Sequence, residues 1–382
     1  MLYQLSHVRV TRAPPGRPYL SRPPRWATKH GGLRDDRVVP PSPELPALAA
    51  FPGTTARELE VVSHDISDLD TGGRWAVAIT FEGRATLARF GSWTSEPPRP
   101  DEIGRWYGPA SADWSDSLGE SSYIAAVDDI KERIAAGDVY QVNLCRVLSA
   151  SMPDPAAMDP GALWRHLREG NPAPYEGFLR LPGLSIVSAS PELFLSVEGG
   201  RLMSGPIKGT AREESGLTDK DRAENIMIVD LIRNDLSRVS LPGSVAVPGL
   251  LTVERHPGLV HLVSYVSGEL LPDTGWPDIL AATMPPGSVS GAPKLSALSV
   301  IGDLEPVPRD FYCGAFGWID SEAGTAQLAV AIRSFWVDGA TVRFGTGAGI
   351  TWGSEPRGEW EETQLKARRL VGLASAPGML VP

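Results

Sequence analysis

The sequence predicts an α+β fold built on large antiparallel sheets. Strand-like runs dominate and do not alternate regularly with helical patterns, which argues against a doubly wound parallel sheet. Residues 75–90 carry a hairpin pattern, with Trp75-Ala-Val-Ala-Ile-Thr-Phe81 and Arg84-Ala-Thr-Leu-Ala-Arg-Phe90 on either side of Glu82-Gly83. The glycine run Gly345-Thr-Gly347-Ala-Gly349 has the wrong spacing for a dinucleotide fingerprint and no βαβ unit around it.

The elements follow in chain order. Residues 1–50 hold nine prolines and many arginines, and read as irregular because proline cannot donate to a ladder. Pro97-Pro-Arg-Pro100 reads as a linker. Residues 123–136 read as a helix stopped by Gly137. Residues 138–148 read as a strand with Gln141, Asn143 and Cys145 on one face. Strands are expected on both sides of Ser190-Pro191, within residues 184–197. Residues 219–239 form the clearest helix, because Thr218 with Asp221 makes a capping box and Asp219 adds acid to the first turn. Further strands are expected at 244–253 and 260–267, then a Gly/Pro loop at 285–293 and a helix at 294–301. Strands at 311–320, 325–333 and 341–344 lead to a glycine turn, and a last helix runs from 356 to 373.

Composition narrows the function. The 382 residues are 42% hydrophobic and 21% charged, enough to bury a core without disulfide or metal staples. The net charge of −10 excludes a general nucleic-acid or anionic-membrane surface, so a small anionic substrate requires positive groups gathered locally. Two cysteines, Cys145 and Cys313, exclude a disulfide framework and fit a reducing compartment. No apolar run approaches the ~18 residues of a membrane span, and the first residues carry no signal core. A cytoplasmic protein with no nucleic-acid or membrane partner is therefore expected. Only six of the 36 basic residues are lysine, so each lysine stands out as a group needed for its amine.

The candidate chemistry lies in carboxylates and lysines. There is no phosphate-binding loop, and Val289 occupies the centre of Gly287-Ser-Val-Ser-Gly291, so that run is no nucleophile elbow. Asp221 and Glu224 share a face of one helix, and Glu359, Glu362 and Lys366 share a face of the last. Carboxylates converging from two helices make an oxygen-only site suited to Mg²⁺. Taken alone, Glu362 and Lys366 are an ordinary i,i+4 surface pair. Lys208 sits in Ser204-Gly-Pro-Ile-Lys-Gly-Thr210, which also reads as a plain turn with a solvated lysine. Glu192 in Ala189-Ser-Pro-Glu-Leu-Phe194 has apolar neighbours that would suit a general acid; the alternative is a strand-end surface carboxylate. The segment 284–294 leads into a helix whose free N–H groups could receive a carboxylate, or simply starts the helix.

Taken together these segments resemble the chorismate-utilising enzymes, over about residues 120–373. The resemblance is carried by Gly137-Asp-Val-Tyr-Gln-Val-Asn-Leu144, Asn171-Pro-Ala-Pro-Tyr175, Ser190-Pro-Glu192, Pro206-Ile-Lys-Gly-Thr210 and the run from Lys220 to Asp235. It continues in His261-Leu-Val-Ser264, Gly287-Ser-Val-Ser-Gly-Ala-Pro-Lys294, Tyr312-Cys-Gly-Ala-Phe-Gly317, Ile332-Arg333, Gly347-Ala-Gly349 and Glu362-Thr-Gln-Leu-Lys366. It implies one domain over residues 1–382, with two large, mostly antiparallel sheets stacked face to face and helices outside. Residues 119–375 would be the catalytic core, and the weakly matching residues 1–118 would add strands to it. It further implies that Glu224 and Glu362 hold Mg²⁺, with Glu359 and Asp221 near enough to act through water. Arg333, Lys366 and the amides of Gly347, Ala348 and Gly349 would hold the carboxylates of chorismate. Gln141, Thr210, His261, Ser290 and Tyr312 complete the implied substrate pocket.

Lys208 and Gln141 direct the reading within that resemblance. The aminodeoxychorismate synthases carry lysine in Pro-Ile-x-Gly-Thr, where the anthranilate synthases usually carry alanine. The lysine amine would add to C2 of the ring while the C4 hydroxyl leaves, protonated by Glu192, and ammonia would then enter at C4 and expel it. Water-using relatives carry a lysine base at the Gln141 position, and a glutamine cannot activate water. The expected product is 4-amino-4-deoxychorismate, on the way to p-aminobenzoate. The alternative is an anthranilate synthase component I or a 2-amino-2-deoxyisochorismate synthase. Neither cysteine sits in a glutaminase-like arrangement, so ammonia is expected from a separate glutamine amidotransferase subunit.

Overall fold

The structure, a computed structural model, describes residues 45–256 and 259–375. Strands β1 (Leu48–Phe51), β2 (Thr54–Ser63), β3 (Arg74–Ile79), β4 (Ala85–Thr94) and β5 (Ser115–Asp116) precede helix α1 (Glu120–Ala136). Next come β6 (Gln141–Ser151), α2 (Pro160–Gly170), β7 (Tyr175–Leu181), β8 (Leu184–Ser190), β9 (Leu193–Glu198), β10 (Arg201–Gly205), β11 (Ile207–Ala211) and α3 (Asp219–Ser237). Then follow β12 (Ala246–His256), β13 (Leu259–Glu269), α4 (Trp276–Thr283), β14 (Gly291–Ala292) and α5 (Lys294–Leu304). The chain closes with β15 (Ala315–Asp320), β16 (Thr325–Val330), β17 (Ser334–Asp338), β18 (Thr341–Ile350) and α6 (Pro356–Ala374).

Every strand pairing is antiparallel among the described residues, and the pairings make one network with two arms. The first arm runs β6–β18–β17–β8–β7–β1, with β5 and β14 beside β6. The second runs β2–β4–β3–β15–β16–β9–β10–β13, with β11 and β12 beside β13. Pairing of β1 with β2 joins them. The largest core cluster mixes Trp75, Val77 and Leu87 of the second arm with Val142, Leu179 and Ile186 of the first, so the arms pack face to face. Side chains of period two point the other way: Leu48, Phe178 and Val187 meet Trp164 and Leu167 of α2 and Ala367 and Leu370 of α6. The first arm is thus buried on both faces, with helices outside, in the α+β arrangement of stacked antiparallel sheets.

The locally signalled elements are present. β3 and β4 form the hairpin. α1 stops at Gly137, whose φ of 85° is the left-handed conformation that glycine adopts without strain. At α3 the Asp221 amide donates to Thr218 Oγ1 (3.2 Å) and the Thr218 amide to Asp221 Oδ2 (2.8 Å).

Other expectations are corrected. Residues 345–349 are not a turn, because β18 continues through them to Ile350 along β6. The expected strand at 325–333 ends at Val330, and Arg333 takes a left-handed φ of 54° before β17 starts. The strand expected from 311 begins at Ala315, after a turn. The irregular reading of residues 1–50 lies outside the described residues up to 44, and fails at β1, a buried strand that joins the arms. Pro97–Pro100 is no linker between separate bodies: Arg57 donates to the Pro97 carbonyl (3.2 Å) and to buried Glu102 (2.7 Å).

Candidate active site

Lys208 projects from β11 and donates from Nζ to the carbonyl of Ser288, 2.8 Å away in the loop before β14. Glu192, between β8 and β9, is 4% exposed. Burial pushes its carboxyl up to about 7, against the pull of a Ser288 hydrogen bond and the charge of Lys208. A carboxyl in that range can give a proton near neutral pH. Lys208 also faces Glu224 of α3, whose carboxyl is raised by burial while Lys208 and Lys220 oppose the shift. The lysine thus stands between two buried acids, bonded to a carbonyl and not locked to either.

Gln141 opens β6 and is 2% exposed. A Cβ on Gly349 would stand 2.3 Å from Gln141 Nε2 and 4.0 Å from Glu224 Oε2, so only glycine lets β18 pass here. Gln141 Oε1 is buried without a hydrogen-bond partner among the described residues. Such an orphan costs about 1–3 kcal/mol until something donates to it. Thr210, two residues beyond Lys208 on β11, has its hydroxyl 2.8 Å from His261 Nδ1 on β13. Ser290 turns its hydroxyl back to the Gly287 carbonyl (3.3 Å) and shapes its own loop.

A second wall is cationic. β17 pairs with β18 only as far as Phe344, so among the described residues the edge of β18 from Gly345 onward has no strand beside it on that side. The Tyr312 ring covers Gly345, where a Cβ would stand 2.0 Å from its Cγ. Arg333 lies at the break before β17 and feels the Tyr312 hydroxyl; burial pulls its guanidinium below its ordinary value. Among the described residues no carboxylate pairs with Arg333. A half-buried guanidinium without an anion is a place for one. Lys366 of α6 donates to the Gly347 carbonyl (3.0 Å) and pairs with Glu362 (2.6 Å).

The acidic residues divide. Glu224 and Glu359 come together around one ammonium, that of Lys220, at 3.8 and 3.7 Å. Asp221 accepts from the Thr218 backbone and hydroxyl. Glu362 lies half exposed on Lys366, in the i,i+4 pair that the helix spacing alone suggests. Among the described residues, no three acidic, histidine or cysteine side chains converge as a ready metal cage. The donors still fit Mg²⁺ in kind: carboxylates from two helices, gathered where a positive charge is already held. Glu224 feels Asp221 and Glu359, and Glu359 feels Glu362, so all four lie within electrostatic range in one chain of neighbours.

Three contributors were missed in the sequence. Ser288 touches both Glu192 and Lys208, and Lys220 bridges the two helices. Arg309, 1% exposed, donates to the carbonyls of Asn143 (2.6 Å) and Val289 (2.8 Å), tying β6 to the loop that carries Ser288. Helical spacing could have marked Lys220 as i,i+4 to Glu224; nothing local marks the other two.

The profile of the chorismate binding enzyme family matches residues 89–372, beginning earlier than the 120 at which the motifs become recognisable. The chain is 38% identical to anthranilate synthase component 1 of Streptomyces coelicolor, over 68% of this chain and 52% of that one. It is 36% identical to aminodeoxychorismate synthase component 1 of Bacillus subtilis, over 72% of this chain and 58% of that one. It therefore spans little more than half the length of these relatives. The crystal structure of anthranilate synthase component I from Streptococcus pneumoniae superposes with a TM-score of 0.70 at 24% identity, covering 89% of this chain and 95% of that one. The chain belongs to the chorismate-binding enzyme family.

Proposed function

We propose that the chain aminates chorismate at C4 with ammonia, giving 4-amino-4-deoxychorismate for p-aminobenzoate and folate or a related product. The observation that carries this is Lys208, held by the Ser288 carbonyl between Glu192 and Glu224. The neutral amine of Lys208 adds to C2, the ring electrons shift, and the C4–O bond breaks. Glu192 gives its proton to the departing hydroxyl, which leaves as water. Ammonia then adds at C4, the electrons shift back, the C2–N bond breaks, and Lys208 is regenerated. The Glu192 carboxylate takes the surplus proton from the new amine. Splitting one hard displacement into two allylic ones is the gain from a covalent lysine.

Arg333, Lys366 and the amides of Gly347 and Gly349, which lie on the side of β18 away from β6, receive the substrate carboxylates, while the Ala348 amide faces Leu144 of β6. The orphaned Oε1 of Gln141 accepts a hydrogen bond from ammonia. Mg²⁺, when bound, would neutralise the ring carboxylate, held by Glu224, Glu362 and Glu359 with Asp221 in reserve. The relatives are named as a first component, which supports ammonia supply by a separate glutamine amidotransferase component. No helix among the described residues is long and apolar enough to cross a membrane. Amination at C2, as in an anthranilate synthase, is the second reading, favoured by relatives of that name at up to 40% identity.

Mass spectrometry of products from chorismate, Mg²⁺ and ammonium tests this. An aminated chorismate that a pyruvate lyase converts to p-aminobenzoate is expected, reduced at least ~100-fold in Lys208→Ala. Anthranilate from the unmodified protein would overturn it.

A further inference from the structure

The two acidic helices meet around a lysine that the proposed chemistry does not use. Lys220 Nζ lies 3.8 Å from Glu224 Oε1 and 3.7 Å from Glu359 Oε1. Both separations exceed a hydrogen bond, so charge alone holds the ammonium there. Its side chain is 52% exposed, whereas those of Glu224 and Glu359 are 17% and 7% exposed. A flexible, wet cation therefore spans two largely buried anions. Those anions repel each other, and burial strengthens the repulsion. Something positive must stand between them whenever both are ionised. A lysine ammonium does this cheaply: it keeps much of its hydration, and its long stem has free rotamers toward solvent.

We propose that Lys220 is a built-in counter-ion that occupies the Glu224–Glu359 pair whenever no metal is bound, and that a divalent cation enters only as this ammonium swings out. The proposal rests on reading these carboxylates as metal ligands. Two negative charges balanced by one positive leave the pair net negative. After the exchange a divalent cation neutralises it, so the exchange has a favourable direction. The same competition lowers the metal affinity of the site below what its carboxylates alone would give. Lys220 is thus a positioning residue: it keeps the acids ordered in the metal-free protein and sets the metal concentration at which the site fills.

Binding of Mn²⁺, a paramagnetic probe for Mg²⁺ sites, can be titrated by electron paramagnetic resonance on the intact protein without chorismate. Lys220→Met is expected to bind Mn²⁺ about three- to tenfold more tightly than the unmodified protein. Lys220→Arg, which keeps the charge, is expected to stay near the unmodified protein, and Glu224→Gln to lose binding. Metal-free Lys220→Met should melt below the unmodified protein, and Mg²⁺ should raise its Tm by more. If the unmodified protein binds Mn²⁺ and Lys220→Met binds it equally or more weakly, the counter-ion role fails and the metal reading stands. Lys220→Arg tracking Lys220→Met also overturns it, since charge would then be irrelevant. No binding in any of the four overturns the metal reading, and the counter-ion role with it.

Discussion

Glu192 is 4% exposed, and burial pushes its carboxyl to about 7 from an ordinary 4.5. As the donor to a departing hydroxyl it must be protonated, so turnover is expected to fall as pH rises through about 7. Glu192→Gln should lower kcat by about 100-fold or more and remove that limb of the profile, which a pH series on both proteins reads directly. The same shift acts on stability. Between 4.5 and about 7 the folded chain keeps a proton that the unfolded chain has released. The stability this group contributes is full below the lower value and is lost as pH rises through the upper one. Urea midpoints at about pH 5 and about pH 8 should therefore differ less in Glu192→Gln than in the unmodified protein.

Among elements, β18 and the Arg309 bridge do most to form the site. Gly349→Ala puts a methyl 2.3 Å from Gln141 Nε2, and the amide must swing away. The end of a side chain gives more easily than backbone, so kcat/KM should fall about tenfold or more with Tm moving by only a few degrees. Steady-state kinetics beside a thermal melt separates the two. Arg309 is paired with Glu305 at 2.6 Å, and Glu305 also accepts from the Cys145 amide (2.9 Å). Arg309→Met strands a buried carboxylate and should cost about 3–5 kcal/mol in urea unfolding; adding Glu305→Leu should recover much of it. The hairpin of β3 and β4 and the Thr218 capping box were legible in the sequence because their determinants lie within a few residues. The glycines of β18 were misread as a turn because what demands them is the Tyr312 ring and Leu144 and Gln141 of β6, all far away in the chain. Lys208, Glu192 and Glu224 could be singled out by type and spacing. Ser288 and Arg309 could not, since their roles exist only once remote segments meet.

At the scale of the whole molecule, the site lies where the two arms face each other. Gln141, Gly349 and Arg333 belong to the first arm or its margin, and Lys208 and His261 to the second. Glu192 lies on the connection from β8 to β9, which passes from one arm to the other. Stacking, and not any one element, brings acid, amine and cation together, and that explains why the class of fold could be read from the sequence more readily than the pocket. The pairing of β6 with β18 has a consequence in time. Synthesis delivers residues 141–151 well before their partner 341–350, so the pocket has no floor until the whole stretch between them has emerged from the ribosome. Until then β6 offers a bare, apolar edge of the kind that recruits other chains. Interrupted translation of this protein should therefore yield aggregating fragments, and not slow enzymes.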